Sequence, residues 1–363
     1  MKDCNKHRDT HFNSLAFITT MNLSDFQFSL PFLGITILLF SPVLHGCESL
    51  HCEDGSFTDA VTVPVKVAVH GGEMPQDSHL DMLVFRNDRL HYLECWQRIL
   101  YEGSEEVTVA SMTGEKVLMA CIGLDMTPED WMWVSSISSL ADAWAALEKE
   151  TGDNPVMSGS CVFHAGHSPI ERPELTLRRI SSEIHLRSLK CDFKGKPYEG
   201  EKLSDVQVYL TNLNASCRIW NDTGAATRIL NQGRLIMEDI ERFTDRNLVY
   251  QRVEGEVGAN GITTGIRLRC YPNMAAAEGP GTPFTRLVIQ GRLDGEVWYW
   301  PIDINRGEGT SPEGVEGNCI YTYDIVLTRK GSADPDTAIR TEDAVIRMEV
   351  EKWEDKEEYS VLF

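Results

Sequence analysis

The sequence predicts an all-β protein built as two β-sandwich domains in tandem, with a helix inserted in the N-terminal one. Three observations predict it. Period-two alternation of Val, Leu and Ile with polar residues dominates the chain. The alternating runs are short and are bounded by Gly, Asp, Pro or Ser clusters. They form two strand-rich halves, each broken by one helical or irregular insertion, which favours paired sandwiches over one large barrel. The expected organisation is a leader over 1–46, an N-terminal sandwich over 47–172 and a C-terminal sandwich over 173–363. The seam is expected in 166–174, which contains Pro169 and Pro173. The chain's 363 residues have room for two cores, at about 100–200 residues per domain.

The leader comes first. An apolar run over 30–44 leads into Leu44-His45-Gly46-Cys47, which resembles a bacterial lipoprotein processing site. There a peptidase cuts before a cysteine already carrying diacylglycerol, so the mature, exported chain would begin at Cys47. The run is interrupted by Pro31 and Pro42 and falls short of the roughly 20 helical residues that span a bilayer. That sets the lipoprotein reading above a retained membrane helix, and an ordinary cleaved signal peptide is the next alternative. Acyl chains on Cys47, at about 0.8 kcal/mol per buried methylene, would tether the protein without embedding it. Translation from Met1 supplies Lys2, Lys6 and Arg8 ahead of the run, whereas a start at Met21 supplies no basic residue before it.

Behind the leader, residues 61–69 (VTVPVKVAV) place Val61, Val63, Val65, Val67 and Val69 on one face of a first strand. Residues 80–85, 106–110 and 116–122 read as further short strands. Thr127 as N-cap, Pro128 at the first helical position and Asp130 in the first turn then precede an apolar stripe that includes Trp131, Val134, Leu140 and Leu147. Gly152 closes it, which predicts a helix lying across a sheet. A second series of strands starts at Leu175, followed by half-buried alternation through Arg187 and by 206–210 and 266–270. Residues 286–293 and 296–304 flank Asp294-Gly295, whose tolerance of φ > 0 suits a type I′ hairpin. Residues 225–243 are moderately helical, and 273–281 and 305–318 read as loops. Finally Ala344, Ile346, Met348 and Val350 alternate with Val345, Arg347, Glu349 and Glu351, and Tyr359, Val361 and Phe363 follow a charged break. Such a strand either closes its own domain or pairs with another molecule's sheet edge.

A formal charge of −21 argues against a nucleic-acid partner, since that affinity rests on Lys and Arg displacing counterions. Eight cysteines beyond Cys47 are scattered without a CxxC pair, and several lie in apolar strands, which favours buried thiols over a bridge framework. His45, Cys47, His51 and Cys52 fit no closed zinc pattern. His164 and His167 lack a third ligand nearby and read as imidazoles on a loop. Ser158 and Ser160 do not sit in a nucleophile elbow, and no Walker loop, dinucleotide glycine triplet or zincin helix is present. On a strand, Trp298 and Trp300 face one side and Tyr299 the other, so at least one set is core and a sugar-stacking platform is the lesser reading. No catalytic residue, metal or cofactor is expected.

Several segments carry a family resemblance by their order and spacing: Asp81-Met82-Leu83-Val84-Phe85, the 115–121 strand with the capped segment after it, Pro155-Val156-Met157-Ser158-Gly159 and Leu177-Arg178-Arg179-Ile180. Strongest is Tyr321-Thr322-Tyr323-Asp324-Ile325-Val326-Leu327, followed by 331–336 and the strand ending in Val350-Glu351-Lys352-Trp353. Over nearly all of the chain after Cys47 these resemble the fimbrillins of Bacteroidales-type (type V) pili, two-domain transthyretin-like sandwich proteins exported as lipoproteins. As the resemblance implies, an Arg-directed protease removes the first strand of the N-terminal domain, and the open groove receives a C-terminal strand from the next subunit. Mapped here, the first strand is 61–69 and the donor comes from 344–363, with Ala344, Ile346, Met348, Val350, Tyr359, Val361 and Phe363 as its pocket-filling residues. The implied partners are other fimbrial subunits and, through lipid on Cys47, the outer membrane; a host or glycan ligand stays open. Residues 70–79 contain neither Arg nor Lys. The expectation is therefore a subunit that keeps its first strand and its lipid while offering its tail, as an anchor would. A stalk or tip subunit stays open, and the alternative from another class is a glycan-binding surface lipoprotein of β-sandwich fold.

Overall fold

A computed structural model describes residues 60–70, 78–101, 106–124, 126–167, 172–220, 228–307, 310, 312–340 and 342–352, and the backbone of 359–362. The first half holds β1 (Ala60–His70), β2 (Ser78–Arg86), β3 (Leu93–Tyr101), β4 (Glu106–Met112), β5 (Gly114–Ile122), β6 (Trp144–Ala146), β7 (Met157–Ala165) and β8 (Glu174–Arg179). After these come β9 (Ser182–Cys191), β10 (Ser204–Thr211), β11 (Leu213–Asn214), β12 (Ser216–Arg218), β13 (Ile229–Leu230), α1 (Met237–Ile240) and β14 (Tyr250–Arg252). The remainder is β15 (Ile262–Cys270), β16 (Arg286–Leu293), β17 (Glu296–Asp303), β18 (Cys319–Leu327), β19 (Ala344–Lys352) and β20 (Tyr359–Leu362). The chain is all-β, as its alternation predicts.

The N-terminal strands form a sheet in the order β3-β2-β5-β7-β8-β1-β4. Strands β7 and β8 pair only at Met157↔Arg179 and Ser158↔Arg178, and there the sheet folds over on itself. Val63, Val65, Val67, Val109, Leu175 and Leu177 on one flap meet Leu80, Met82, Val84, Leu118 and Ile122 on the other in a single buried cluster. The run Leu80 to Phe85 is apolar on both faces because both are covered: Leu83 and Phe85 point away from this cluster and lie with Met119 and Cys121 under residues 131–156.

That covering segment is not the expected helix. It consists of short 3₁₀ turns, Glu129–Trp131, Ile137–Asp142 and Leu147–Lys149, with β6 between the last two. Trp131, Val134, Leu140, Ala143, Ala145 and Leu147 are buried, so most of the apolar stripe reaches the sheet by turns. Two causes break the helix. The Ser139 hydroxyl donates to the Ser136 carbonyl at 2.6 Å and accepts from the Ser135 N–H at 3.2 Å, offering the backbone local partners in place of a helical ladder. Strand β6 is also taken by β12 of the second half, with Ser216↔Ala146 and Arg218↔Trp144 in register. The cap read at Thr127 does form, its backbone N–H donating to Asp130 Oδ2 at 2.7 Å, but one turn follows it. In the described part of 225–243 the helix is only the single turn α1, preceded by β13 and by positive φ at Asn231 and Gly233.

In the second half, β15-β9-β18-β19-β20 form one sheet and β14-β10-β16-β17 another. Their inner faces share a core, with Ile184, Leu186, Tyr321, Tyr323, Ile325 and Met348 from the first meeting Val208, Leu210, Leu287, Ile289, Trp300 and Ile302 from the second. The 294–295 turn is as expected, with φ of 56° and 76° at Asp294 and Gly295 joining β16 to β17. Strand β8 belongs to the N-terminal sheet, pairing in parallel with β1. The chain passes from one sheet to the next at 180–181, between β8 and β9.

The two outer edges of the folded-over sheet are sealed to each other by side chains. The Gln97 carboxamide donates to the Thr108 carbonyl at 3.1 Å and accepts from the Ala110 N–H at 3.3 Å, while Glu94 binds Ser111, the Met112 N–H and Lys116. Polar side chains thus occupy backbone groups of β4 that another chain would otherwise use. Replacing Gln97 with Ala is expected to speed amide exchange at Ala110 by about fivefold, the loss of one net hydrogen bond of roughly 1 kcal/mol. Hydrogen–deuterium exchange resolved to that residue checks it, and unchanged protection would mean the edge is held elsewhere.

Candidate functional site

The two ends of the described chain carry the residues that strand exchange would use. At the front, β1 is in place. Residues 60–66 run antiparallel to 112–106 of β4, and 66–70 run parallel to 174–178 of β8. Val63, Val65 and Val67 are fully buried, and Val61 and Val69 pack partly buried against the same core. Pro64 fits because pairing with β8 begins only at Lys66, so its ring faces a stretch where β1 is an edge. Lys66 meets Glu174 at 3.3 Å on the surface. Withdrawing this strand would empty a trough bounded by β4 and β8.

At the back, the expected donor divides in two. Ala344, Ile346, Met348 and Val350 are buried in their own domain, opposite Leu327, Ile325, Tyr323 and Tyr321 of β18. These four pack in the core of this chain, on the strand that precedes β20. Alternation reports one buried face and is silent on whose core buries it. Strand β20 lies antiparallel on the outer edge of β19, with Val350 opposite Tyr359 and Arg347 opposite Leu362. The side chains of Tyr359, Val361 and Phe363, like Cys47 and the leader, lie outside the described residues.

Two other sheet edges are bonded by segments outside their sheets. Strand β17 is bridged by the 331–339 segment, Tyr299 and Ser332 exchanging backbone hydrogen bonds at 2.9 and 2.7 Å, with the Ile339 N–H on the Pro301 carbonyl. Gly331 is required there, since a Cβ would stand 2.0 Å from the Tyr299 carbonyl oxygen. That segment is anchored by Arg286, whose side chain is only 3% exposed. It donates to Asp303 at 2.7 Å, Asp336 at 2.6 Å and both oxygens of Glu278 at 2.7 and 2.8 Å. Burial opposes its charge, and the three carboxylates outweigh burial to hold its pKa above the ordinary value. Strand β15 takes a hydrogen bond from the Gln251 carboxamide on the Arg267 carbonyl. The outer face of its sheet is a charge ladder in which Arg187 binds Asp324 and Glu349, holding both carboxyls below their usual range. Sequence reading missed Gln97 and Arg286 because their partners come from other segments and nothing local marks them.

The remaining sequence candidates are structural. His164 lies on β7, where a loop was expected, with Nδ1 2.9 Å from Glu115 Oε1. Trp300 is buried with its indole N–H on the Arg329 carbonyl at 3.1 Å, and Trp298 packs partly buried against the same core. Cys121, Cys191 and Cys270 are buried free thiols and Cys161 a half-buried one, while Cys217 and Cys319 are buried and Cys95 half-buried. Burial pushes the Cys161 thiol up to about 11 and Cys270 to about 12, which removes both as nucleophiles at neutral pH. Among the described residues no group of three His, Cys, Asp or Glu is placed to hold a metal, and no helix is long and apolar enough to cross a membrane.

No family model matches the sequence, and no curated protein matches it. Solved structures do match its fold. A candidate cell adhesion protein from Bacteroides eggerthii superposes with a TM-score of 0.61 at 16% identity, over 81% of this chain and 96% of that one. A fimbrilin from Porphyromonas gingivalis gives a TM-score of 0.55 at 13% identity, over 80% and 96%. A candidate cell adhesion protein from Parabacteroides distasonis gives 0.54 at 16%, over 83% and 95%. In fold, then, this chain is a fimbrillin-type all-β protein, as the order and spacing of its strand motifs imply.

Proposed function

We propose that this chain is a non-catalytic structural subunit of a cell-surface fimbria that works by strand exchange, lending its last strand to a neighbouring subunit. The observation that carries the reading is the contrast between β19 and β20. Moving β19 would expose Ile346, Met348 and Val350, at about 1.5–3 kcal/mol each. Strand β20 pairs along only four residues at a sheet edge, held by backbone hydrogen bonds worth roughly 0.5–1.5 kcal/mol net apiece. In the proposed exchange it leaves this edge, and a neighbour's trough restores its ladder. Support comes also from the edges that Gln97, the 331–339 segment and Gln251 obstruct, which direct association to this end of the molecule.

In the same reading the mature subunit holds two domains, about 47–172 and 173–363, keeps β1, and is held on the outer membrane by lipid on Cys47 as the base of the fimbria. The segment after β1 offers no Arg or Lys to a trypsin-like cut. The test is deletion of 359–363 in cells. Full-length protein is expected to form ladders of SDS-resistant multimers and the deletion variant none, with its melting transition retained. Ladders that persist would overturn the donor assignment. Mass spectrometry of the mature N-terminus reads the anchor separately: an acylated Cys47 is expected, and a start between 70 and 80 would refute it.

A further inference from the structure

The strand pairings give the N-terminal sheet two distinct ends. The β2–β3 hairpin over 87–92, the β4–β5 turn at Thr113 and Ala60 at the start of β1 share one of them, because Arg86 pairs with Lys116, Gly114 with Ala165 and Ala60 with Met112. Ile122, Met157 and Arg179 lie at the other, from which the chain passes into β9 and the C-terminal sandwich. The end that carries Ala60 is therefore opposite the exit to the second sandwich. Only 12 residues, 48–59, separate Cys47 from Ala60, and a stretch of that length spans at most about 45 Å. A bilayer entered by lipid on Cys47 is within that reach of this end.

The same end is where apolar side chains face solvent. Of the nine large apolar residues exposed among the described ones, Leu90 and Tyr92 lie in the hairpin, and Met132 and Trp133 lie on the segment that runs back along β3 to meet it. That course is fixed by Arg98 donating to the Met126 carbonyl at 2.6 Å, by the Leu93 N–H on the Ser135 carbonyl at 2.8 Å and by the Ile137 N–H on the His91 carbonyl at 3.1 Å. The hairpin is held firmly. Asp88 Oδ1 accepts from the Leu90 and His91 N–H groups at 2.9 and 3.0 Å, the Arg86 N–H donates to the Tyr92 carbonyl at 3.0 Å, and His91 sits at φ 47°. Leu90 at 59% and Tyr92 at 50% exposure are thus presented by a fixed backbone. Arg86 and Arg89 stand exposed beside them, Arg86 also 4.0 Å from Glu94, and the one acid of 86–92 is Asp88, which is committed to the turn. On a chain of net charge −21 this is an apolar tip with a cationic rim. Aromatic rings with Leu, Met and Arg beside them suit a lipid headgroup layer, where the rings take the interface and the guanidiniums meet phosphates.

We propose that this end of the N-terminal domain docks on the bilayer that holds the chain, with Leu90, Tyr92, Met132 and Trp133 in the headgroup layer. The docking rests on the lipid-anchored reading of Cys47. To test it, the acylated full chain is reconstituted in vesicles of phosphatidylethanolamine with a minor share of phosphatidylglycerol, with plain or brominated acyl chains, since bromine quenches tryptophans that enter the bilayer. The Trp133 emission, read as the difference between wild type and Trp133→Phe, is expected to fall at least about twofold in the brominated vesicles. Leu90→Asp combined with Tyr92→Asp alters exposed positions, and melting curves verify folding. This double variant is expected to recover most of the emission while still sedimenting with the vesicles. The same measurement on a chain with a hexahistidine tag in place of Cys47, held on nickel-chelating vesicles, separates the two readings. A chain that fails to sediment untagged but is quenched when tagged refutes the lipid and supports the tip. The docking is overturned if Trp133 emission is unchanged on both kinds of vesicle or if the double variant is quenched as strongly as wild type. It is also overturned if Trp133 becomes shielded from acrylamide as protein concentration rises without vesicles, which would assign the tip to a second copy of the chain.

Discussion

Arg286→Met is expected to lower the stability of the C-terminal sandwich by about 3–5 kcal/mol at neutral pH, the cost of removing one partner from a buried ionic cluster. Methionine keeps much of the volume, so the loss is electrostatic. Glu278, Asp303 and Asp336 would be left around an uncharged side chain, and the 331–339 strap over β17 would lose its anchor. The sign of the pH dependence follows. Burial already raises Asp303 above its usual value despite the guanidinium, and without Arg286 its folded pKa rises further above the unfolded one. A group of that kind favours folding below its unfolded pKa, near 3.9, and loses the contribution as pH rises through the folded value. The deficit of the variant should therefore shrink on acidification from pH 7 towards pH 5. Urea midpoints at the two pH values measure it. A midpoint unchanged at pH 7 would show that the cluster does not hold the strap, and an equal deficit at both would assign the loss to packing.

Gly159→Ala is the second large effect. A methyl group there would stand 2.1 Å from the Thr176 carbonyl oxygen and 2.9 Å from its carbon. Both are backbone atoms of a strand tied to β1, so neither side yields cheaply. A loss of about 1–3 kcal/mol or more is expected, together with rupture of the Met157↔Arg179 pairing that joins the two flaps of the N-terminal sheet. Amide exchange around 157–159 should accelerate with the fall in melting temperature. Gly281 has open space at its Cβ and no positive φ, so Gly281→Ala should stay within about 1 kcal/mol of wild type. Equal behaviour of the two variants would contradict the close approach of β7 to β8.

How legible the fold was can be traced through particular elements. Residues 61–69, 80–85 and 116–122 alternate or run apolar within a single strand, and each is a strand. Asp294-Gly295 carries its turn in two residues. Strand β3 escaped sequence reading because Leu93 to Leu100 are neither clearly buried nor clearly exposed in alternation, its role being to cover an edge. The 127–152 segment had a genuine cap and a genuine apolar stripe, yet four serines and a pairing with β12 made turns of it. Of the candidate site, β1 was legible and β20 was legible as a strand. The side-chain seals were not, because Gln97 and Arg286 meet partners from other segments.

By itself the sequence determined the all-β class, most strand positions and the acidic surface, since each is set by neighbours within about ten residues. Only the tertiary structure decided which core the 344–350 strand fills and which edges are sealed. Those outcomes depend on groups far apart in the chain, 108 residues for Lys66 and Glu174 and 162 for Arg187 and Glu349. Periodicity specifies that a face is buried, and packing alone selects the surface that buries it.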